Sequence, residues 1–462
     1  MTTRPGPASS AVIAALPDEL VLLDPDVVAT YSRDHSRFTQ SAVPDAVLVP
    51  RSTEEVAACL RVAHRHGVPV IPRGAGSGLS GGANATVGSI VLSLHRMNAI
   101  LEIDDVNRIA VTQPGVVTSE LRDRAAAAGL FYAPDPGSVD FSTIGGNVAT
   151  NAGGMCCLKY GVTGDFVIGL EAVLADGRVL RTGRRTAKGV AGFDLTHLLV
   201  GSEGTLAVIT EITLKLLPAP RDPHTLVAAF ASLDQAGRTV SDIASSGITP
   251  SMLEILDRTT VQAVDELAKM GLGRDVAVLL LMQADDSDAE NTLAAIESIC
   301  RRHGAADIAV SSDTAESAML LAARRLALPA LERLGNWLLD DVAVPRSRVT
   351  ELMSSIESIA AQFDLTIGVF GHAGDGNLHP TIIYDETDPA SRAAALGAFD
   401  AITQRALDLG GTITGEHGVG RLKSRWLTVE HDEVSLAVQR SVKDALDPER
   451  ILNPGAVLEA HS

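Results

Sequence analysis

Two histidines seven residues apart carry the sharpest chemical signal in the chain. They sit in Gly371-His372-Ala373-Gly374-Asp375-Gly376-Asn377-Leu378-His379, directly after the apolar run Ile367–Phe370. Gly374-Asp375-Gly376 supplies a tight reversal, so His372 and His379 are expected to face each other across it. Two converging imidazoles begin a divalent-metal site, and a third ligand is needed. Gly411-Thr412-Ile413-Thr414-Gly415-Glu416-His417-Gly418-Val419-Gly420 offers Glu416, with His417 beside it. The bland alternative is a glycine-rich hairpin whose histidines are satisfied by hydrogen bonds. Three of the twelve histidines fall in two glycine-dense segments, each holding an acid, which favours the metal reading.

A second kind of chemistry is written in glycine. After the run Val68–Ile71 comes Pro72-Arg73-Gly74-Ala75-Gly76-Ser77-Gly78-Leu79-Ser80-Gly81-Gly82. Gly76, Gly78 and Gly81 satisfy G-x-G-x-x-G, but that fingerprint needs a helix opening at the third glycine. Here the following residues lead into Ile90-Val91-Leu92-Ser93-Leu94, which are β-formers, so a dinucleotide turn of that type is rejected. The loop still suits a phosphate, since glycines expose backbone N–H groups without side chains in the way. A purely structural turn is the alternative. Two more small-residue segments follow, one from Pro134 to Gly154 and one from Gly201 to Thr210. Together the three suggest a long ligand such as a dinucleotide, threaded through one domain.

These sites need elements to hold them. Val47–Val49 reads as a strand, Ser52 and Glu55 have capping-box spacing, and Val56, Leu60 and Ala63 recur at helical spacing up to Gly67. Asp176-Gly177 between two β-like runs predicts a hairpin. Thr225–Ala231, 233–246, Val276–Met282 and a helical stretch over 313–334 suggest a second unit beyond the proline-rich 218–222. Mixed connectivity of this kind predicts an α+β fold. The expected divisions are a leader over 1–42 with a helix around Pro17–Ser32, a ligand-binding domain over 43–220, and a second domain over 221–462 with a C-terminal segment that contacts the first domain's ligand.

Composition narrows the function. Lys plus Arg is 38 and Asp plus Glu is 57, a net charge of −19, which argues against nucleic acid as a partner. No apolar run reaches the roughly 18 residues of a membrane helix. The leader's apolar stretch is too short for a secretory core of roughly 7–15 residues, so a cytoplasmic protein is expected, with peripheral membrane association left open. Cys59, Cys156, Cys157 and Cys300 form no CxxC pair and read as free thiols.

The strings PRGAGSGLSGGA, PGSVDFSTIGGNVATNAGG and GSEGTLAVITEITLKLLP resemble the FAD-binding domain of vanillyl-alcohol-oxidase-type flavoproteins. GHAGDGNLH, GTITGEHGVG and the segment from Leu446 to Gly455 resemble the C-terminal domain of one branch of that group. That branch is the FAD-linked D-2-hydroxyacid dehydrogenases and oxidases, which act on D-lactate, glycolate or D-2-hydroxyglutarate. The resemblance covers nearly the whole chain from about residue 43. It implies FAD lined by Pro72, Arg73, Gly74, Ala75, Gly76, Ser77, Gly78, Leu79 and Ser80. Pro136, Gly137, Ser138, Thr143, Gly145, Gly146, Asn147, Ala149, Asn151, Gly154, Gly204, Ile209 and Asn453 would line the rest. Some members tether FAD through a histidine in the first loop; Ser77 stands there in this chain, implying a non-covalent flavin.

The same resemblance assigns His372, His379 and Glu416 to a divalent metal, zinc first, with manganese or iron as alternatives. His417 would be the base, Asn377 would line the site, and Arg324 would bind the substrate carboxylate, with Arg325 competing for that role. Ala456 replaces a lysine frequent in the family. Leu339, ahead of Asp340-Asp341-Val342, and Thr381 replace groups that hydroxyglutarate-specific members carry, which favours a small monocarboxylate 2-hydroxy acid. A non-redox transferase of the alkylglycerone-phosphate synthase type is the rival enzyme. A flavoprotein subunit that only relays electrons is the non-catalytic one. With no cysteine cluster for an iron–sulfur centre, a quinone, cytochrome, other electron-transfer protein or oxygen must reoxidise the flavin. A homodimer is left open.

Overall fold

The computed structural model describes residues 5–273 and 275–458. The fold is α+β, and the chain divides into two compact units. The first takes the chain up to Gly153, Gly161–Ala219 and the chain from Glu416 onward; the second takes Gly154–Tyr160 and Pro220–Gly415. The break at Ala219–Pro220 falls in the proline-rich segment. The return to the first unit at Glu416 differs from the sequence reading, which kept 221–462 together. Gly154 likewise falls in the second unit.

In the first unit, Ala46–Leu48 and Val70–Arg73 both run parallel to Ile90–Ser93, which lies between them. The helix Thr53–His66 starts where Ser52 Oγ accepts from Glu55 N and stops at Gly67, whose φ of +62° is left-handed. The Glu55 carboxylate reaches back to Arg51 N at 2.6 Å, one residue short of a full capping box. Val56, Leu60 and Ala63 are buried against Leu48, Ile90 and Leu92. Each such leucine contributes about 1.5–3 kcal/mol by leaving water. After the glycine loop the next regular element is the strand Ile90–Ser93, so no helix opens at the third glycine.

A five-stranded antiparallel sheet completes this unit, in the order Ile100–Asp104, Ile109–Thr112, Val208–Lys215, Val167–Val173 and Val179–Gly183. Its last two strands are the hairpin expected at Asp176-Gly177. The helix expected over Pro17–Ser32 is absent. That stretch holds a 3-10 turn at Asp18–Leu20, a strand at Val21–Leu22 and a short helix at Pro25–Ala29. Pro17 and Pro25 punctuate it, and Asp24 accepts from Asp26 N and Val27 N to start the helix anew. Nor is the leader an appendage: Val12 and Leu16, from and just after the helix Pro7–Ala14, are buried in the same core as Leu60. Among the described residues, no helix is long and apolar enough to cross a membrane.

The second unit is built on one antiparallel sheet. Its order is Asp307–Ser311, His224–Phe230, Val278–Ala284, Met252–Asp257, Thr366–His372, Asn377–Tyr384 and Asn336–Leu339. Val342–Ala343 pairs with the Asn377 strand as well. The helices Leu233–Ser245, Ala289–Arg302, Val349–Phe363 and Pro389–Asp408 pack with this sheet.

Candidate active site

The histidine segment folds as a hairpin toward one end of that sheet, its strands fifth and sixth in the order. His372 pairs with Asn377 and Phe370 with His379, so all four side chains share one face. His372 O accepts from both Asp375 N and Gly376 N to close the reversal. Gly376 has φ +82°, and a Cβ there would lie 2.1 Å from Val344 O, so both conformation and space demand glycine. The two Nε2 atoms come within 3.3 Å of each other, and both rings are buried.

Each ring is also met on its other nitrogen by a buried carboxylate. His372 Nδ1 is 2.6 Å from Glu254 Oε1, and His379 Nδ1 is 3.5 Å from Asp341 Oδ1. Glu254 comes from the neighbouring strand Met252–Asp257, where Ile255 pairs with Gly371. Its second oxygen accepts from Arg324 Nε, and the guanidinium of Arg324 lies 4.8 Å over the Phe370 ring. Burial pushes the Glu254 carboxyl up, but its pairing with His372 and Arg324 outweighs that and holds it below the usual range. Arg325 is exposed.

Asp341 is the second hub. It accepts from Asn377 Nδ2 at 2.7 Å, Thr414 Oγ1 at 2.7 Å and Gly415 N at 2.9 Å. Asn377 donates its other amide hydrogen to Val342 O, so its side-chain donors hold Asp341 and the neighbouring strand. A Cβ on Gly415 would lie 2.1 Å from Asn377 Nδ2, so only glycine lets the chain pass this close. Glu254 and Asp341 were not among the residues the sequence pointed to as site residues. The available signal was a lone acid inside an otherwise apolar strand, Met252-Leu253-Glu254-Ile255-Leu256. Thr381 is fully buried with its hydroxyl on His379 O, and it pairs with Leu339.

The first unit brings the three glycine-dense segments together. A Cβ on Gly74 would lie 2.5 Å from Thr143 Oγ1, and one on Gly204 would lie 3.0 Å from Pro72 Cγ. Gly201 N donates to Val148 O and Glu203 N to Ala149 O. Gly137 has no atom within 4 Å of where its Cβ would be, and Ala75 is exposed at the loop crest. Such small-residue surfaces suit close approach by a large flat ligand and its phosphates. Several residues expected to line the cofactor also brace the cradle. Arg73 is buried and donates to Ala83 O, and Asn147 Nδ2 donates to Thr118 Oγ1. Asn151 Oδ1 accepts from Gly164 N. Asn453 Nδ2 donates to Gly82 O and Glu203 O, while its Oδ1 accepts from Arg421.

Glu416 and His417 belong to this unit. Glu416 Oε1 is 3.4 Å from His417 Nε2, and a Cβ on Gly153 would lie 2.3 Å from Glu416 Oε2.

Known proteins match this architecture over nearly its full length. A family model described as an FAD binding domain matches residues 44–183, and one described as FAD linked oxidases, C-terminal domain, matches residues 219–457. The chain is 45% identical over 428 residues to glycolate oxidase subunit GlcD of Bacillus subtilis, covering 92% of this chain and 91% of that protein. It is 34% identical over 449 residues to the D-lactate dehydrogenase of Anaerostipes hadrus, covering 95% and 94%. Its fold resembles 4-ethylphenol oxidase from Gulosibacter chungangensis, with a TM-score of 0.79 at 20% identity, covering 99% of each chain. The chain belongs to the family of FAD-linked D-2-hydroxyacid dehydrogenases and oxidases. It is an FAD-dependent oxidoreductase whose first unit contains the FAD-binding domain.

Proposed function

We propose that this enzyme oxidises a small D-2-hydroxy monocarboxylate, D-lactate or glycolate, to the 2-oxo acid. The observation that carries the reading is the pair of buried imidazoles whose Nε2 atoms converge while a carboxylate stands at each Nδ1. A carboxylate hydrogen-bonded to Nδ1, as Glu254 is to His372, keeps the proton there and leaves Nε2 as a lone-pair donor, the pattern expected of metal-bound histidine. Two neutral donors of this kind fit a divalent cation such as zinc, with manganese or iron as alternatives. Glu416 is the third ligand of the proposal. Peptide connectivity supports it, since Gly415 is hydrogen-bonded to Asp341 and Glu416 is the next residue.

When bound, the metal would polarise the substrate hydroxyl and the flavin would take up the hydride from C2. The chain's own residues do the rest. His417 accepts the hydroxyl proton, a role an imidazole within hydrogen-bond reach of it can fill. Arg324 turns Nε to Glu254, which leaves its terminal N–H groups to hold the substrate carboxylate. Loss of that proton to His417 and of hydride from C2 leaves the 2-oxo acid, so electrons balance with a two-electron-reduced flavin. Leu339 and Thr381 place no charge beside the histidines for a second carboxylate, which supports a monocarboxylate over 2-hydroxyglutarate. The names of the two relatives, a glycolate oxidase subunit and a D-lactate dehydrogenase, agree with that class. Ser77 cannot form a histidyl link, so the flavin is held without a covalent bond.

The test is an anaerobic panel of glycolate, D- and L-lactate and D-2-hydroxyglutarate mixed with the FAD-loaded enzyme. Flavin bleaching by D-lactate or glycolate, with weak response to L-lactate and D-2-hydroxyglutarate, is expected. Fast bleaching by D-2-hydroxyglutarate alone would overturn the substrate assignment. Acid precipitation should release all of the flavin into the supernatant.

A further inference from the structure

The glycine loop and the segment that carries His417 are interlocked within the first unit. Ser80 Oγ donates to Gly418 O at 2.9 Å and to His417 O at 3.2 Å. Ser80 O in turn accepts from Arg421 N and Leu422 N. Glu203 grips the same segment from the third glycine-dense stretch. Its Oε1 accepts from Val419 N at 2.7 Å, and both its oxygens accept from Gly420 N, at 3.1 and 2.9 Å.

This closeness is bought with glycines. Gly418 and Gly420 have φ of +81° and +52°; a Cβ on Gly420 would lie 2.0 Å from Ser80 O, and one on Gly418 would lie 2.9 Å from Glu203 Oε1. Residues 417–420 belong to no helix or strand, so no regular ladder dictates their path. Their course is set by these side chains, and by the glycines that admit them.

We infer that Glu203 is a positioning residue for proton abstraction: with Ser80 it fastens the backbone bearing His417 to the cofactor loop. The inference rests on the reading of His417 as the base. A base acts only within hydrogen-bond reach of its proton. A misplacement of about 1 Å costs on the order of 10²-fold in rate, so the backbone two and three residues beyond an imidazole bears on where the ring sits. Glu203 touches neither substrate nor metal in this scheme and acts through the chain it holds.

The test uses full-length, FAD-loaded Glu203→Gln with D-lactate as the probe. Glutamine keeps the size but turns an NH2 group toward the Gly420 N–H. Flavin reduction should slow by roughly 10–100-fold at saturating D-lactate, with the substrate dissociation constant and FAD content unchanged. Hydrogen exchange read by mass spectrometry should quicken in the peptide spanning 417–422. On a His417→Ala background the same substitution should have no further effect on the rate, because both act on one step. An equal slowing on that background, or loss of FAD in parallel with rate, would make Glu203 merely structural and overturn the inference. So would faster exchange with an unchanged rate. If Glu203→Gln does not fold, Glu203→Asp, which keeps the carboxylate but shortens its reach to Val419 N and Gly420 N, is read by the same criteria. If His417→Ala alone reduces flavin at the wild-type rate, the base assignment itself falls, a result distinct from all of these.

Discussion

Glu254 Oε1 lies 2.6 Å from His372 Nδ1, and Nε2 of the same ring faces Nε2 of His379 at 3.3 Å. A carboxylate with both oxygens engaged, one by an imidazole and one by Arg324, fixes the ring's tautomer and its direction together. Glu254→Ala should therefore weaken zinc binding by about 10–100-fold in a chelator-competition titration. It also strands Arg324 without its anion in a partly buried setting, so thermal or urea unfolding should show a loss of about 1–3 kcal/mol. Undiminished zinc affinity in the folded variant would deny Glu254 this role.

Metal removal separates the two cofactors. Dialysis against a strong chelator should leave the flavin spectrum intact, since the glycine cradle belongs to one unit and the histidine pair to the other. Bleaching by D-lactate should be lost and should return on adding zinc, manganese or ferrous ion. His379→Ala should behave like the chelated enzyme at all metal concentrations tested. Reduction that persists in protein shown metal-free by mass spectrometry would remove the metal from the scheme.

Much of this site was legible in the chain, and the reasons are local. A glycine-aspartate-glycine turn between two apolar runs can do little but reverse a strand, so the facing of His372 and His379 followed from sequence. Glu254 did not, because its partner is 118 residues away and only sheet order brings the two strands side by side. Asp341 stood in plain view in a doublet, yet its part as a hub depends on Thr414 and Gly415 returning to the same edge. The N-terminal stretch misled for the opposite reason. Its apolar run is short and unremarkable until the helix Thr53–His66 gives Val12 and Leu16 something to pack on. The return of the chain to the first unit at Glu416 leaves no mark in composition at all, since it occurs inside one glycine-rich motif.

The two neighbouring arginines make opposite predictions. Arg324 is held by Glu254 and stacked on Phe370, whereas Arg325 is exposed. Arg325→Ala should leave KM and kcat for D-lactate within about twofold, as surface substitutions rarely exceed ±0.5 kcal/mol. Arg324→Lys keeps the charge but loses the planar fork, and KM should rise by at least about tenfold, the value of one good charge-assisted hydrogen bond. Equal effects at the two positions, measured by steady-state kinetics with a dye acceptor, would remove the carboxylate role from Arg324.

Glu203 predicts a pH dependence of stability. Burial lifts its carboxyl from 4.5 to about 7, against the backbone N–H groups of Gly420 and Val419, which favour the charged form. Between those two values the folded chain holds a proton that the unfolded chain has released. Stability must therefore fall as pH rises through that window, by at most about 3 kcal/mol from this one group. Below 4.5 both states are protonated and above 7 both are charged, so the contribution is flat outside it. Glu203→Gln, neutral throughout, should flatten the wild-type decline between pH 5 and pH 7 in urea titrations of the FAD-loaded protein. A decline as steep in the variant as in the wild type would assign the pH dependence to other groups, with Asp34, whose carboxyl burial also raises, the next to substitute.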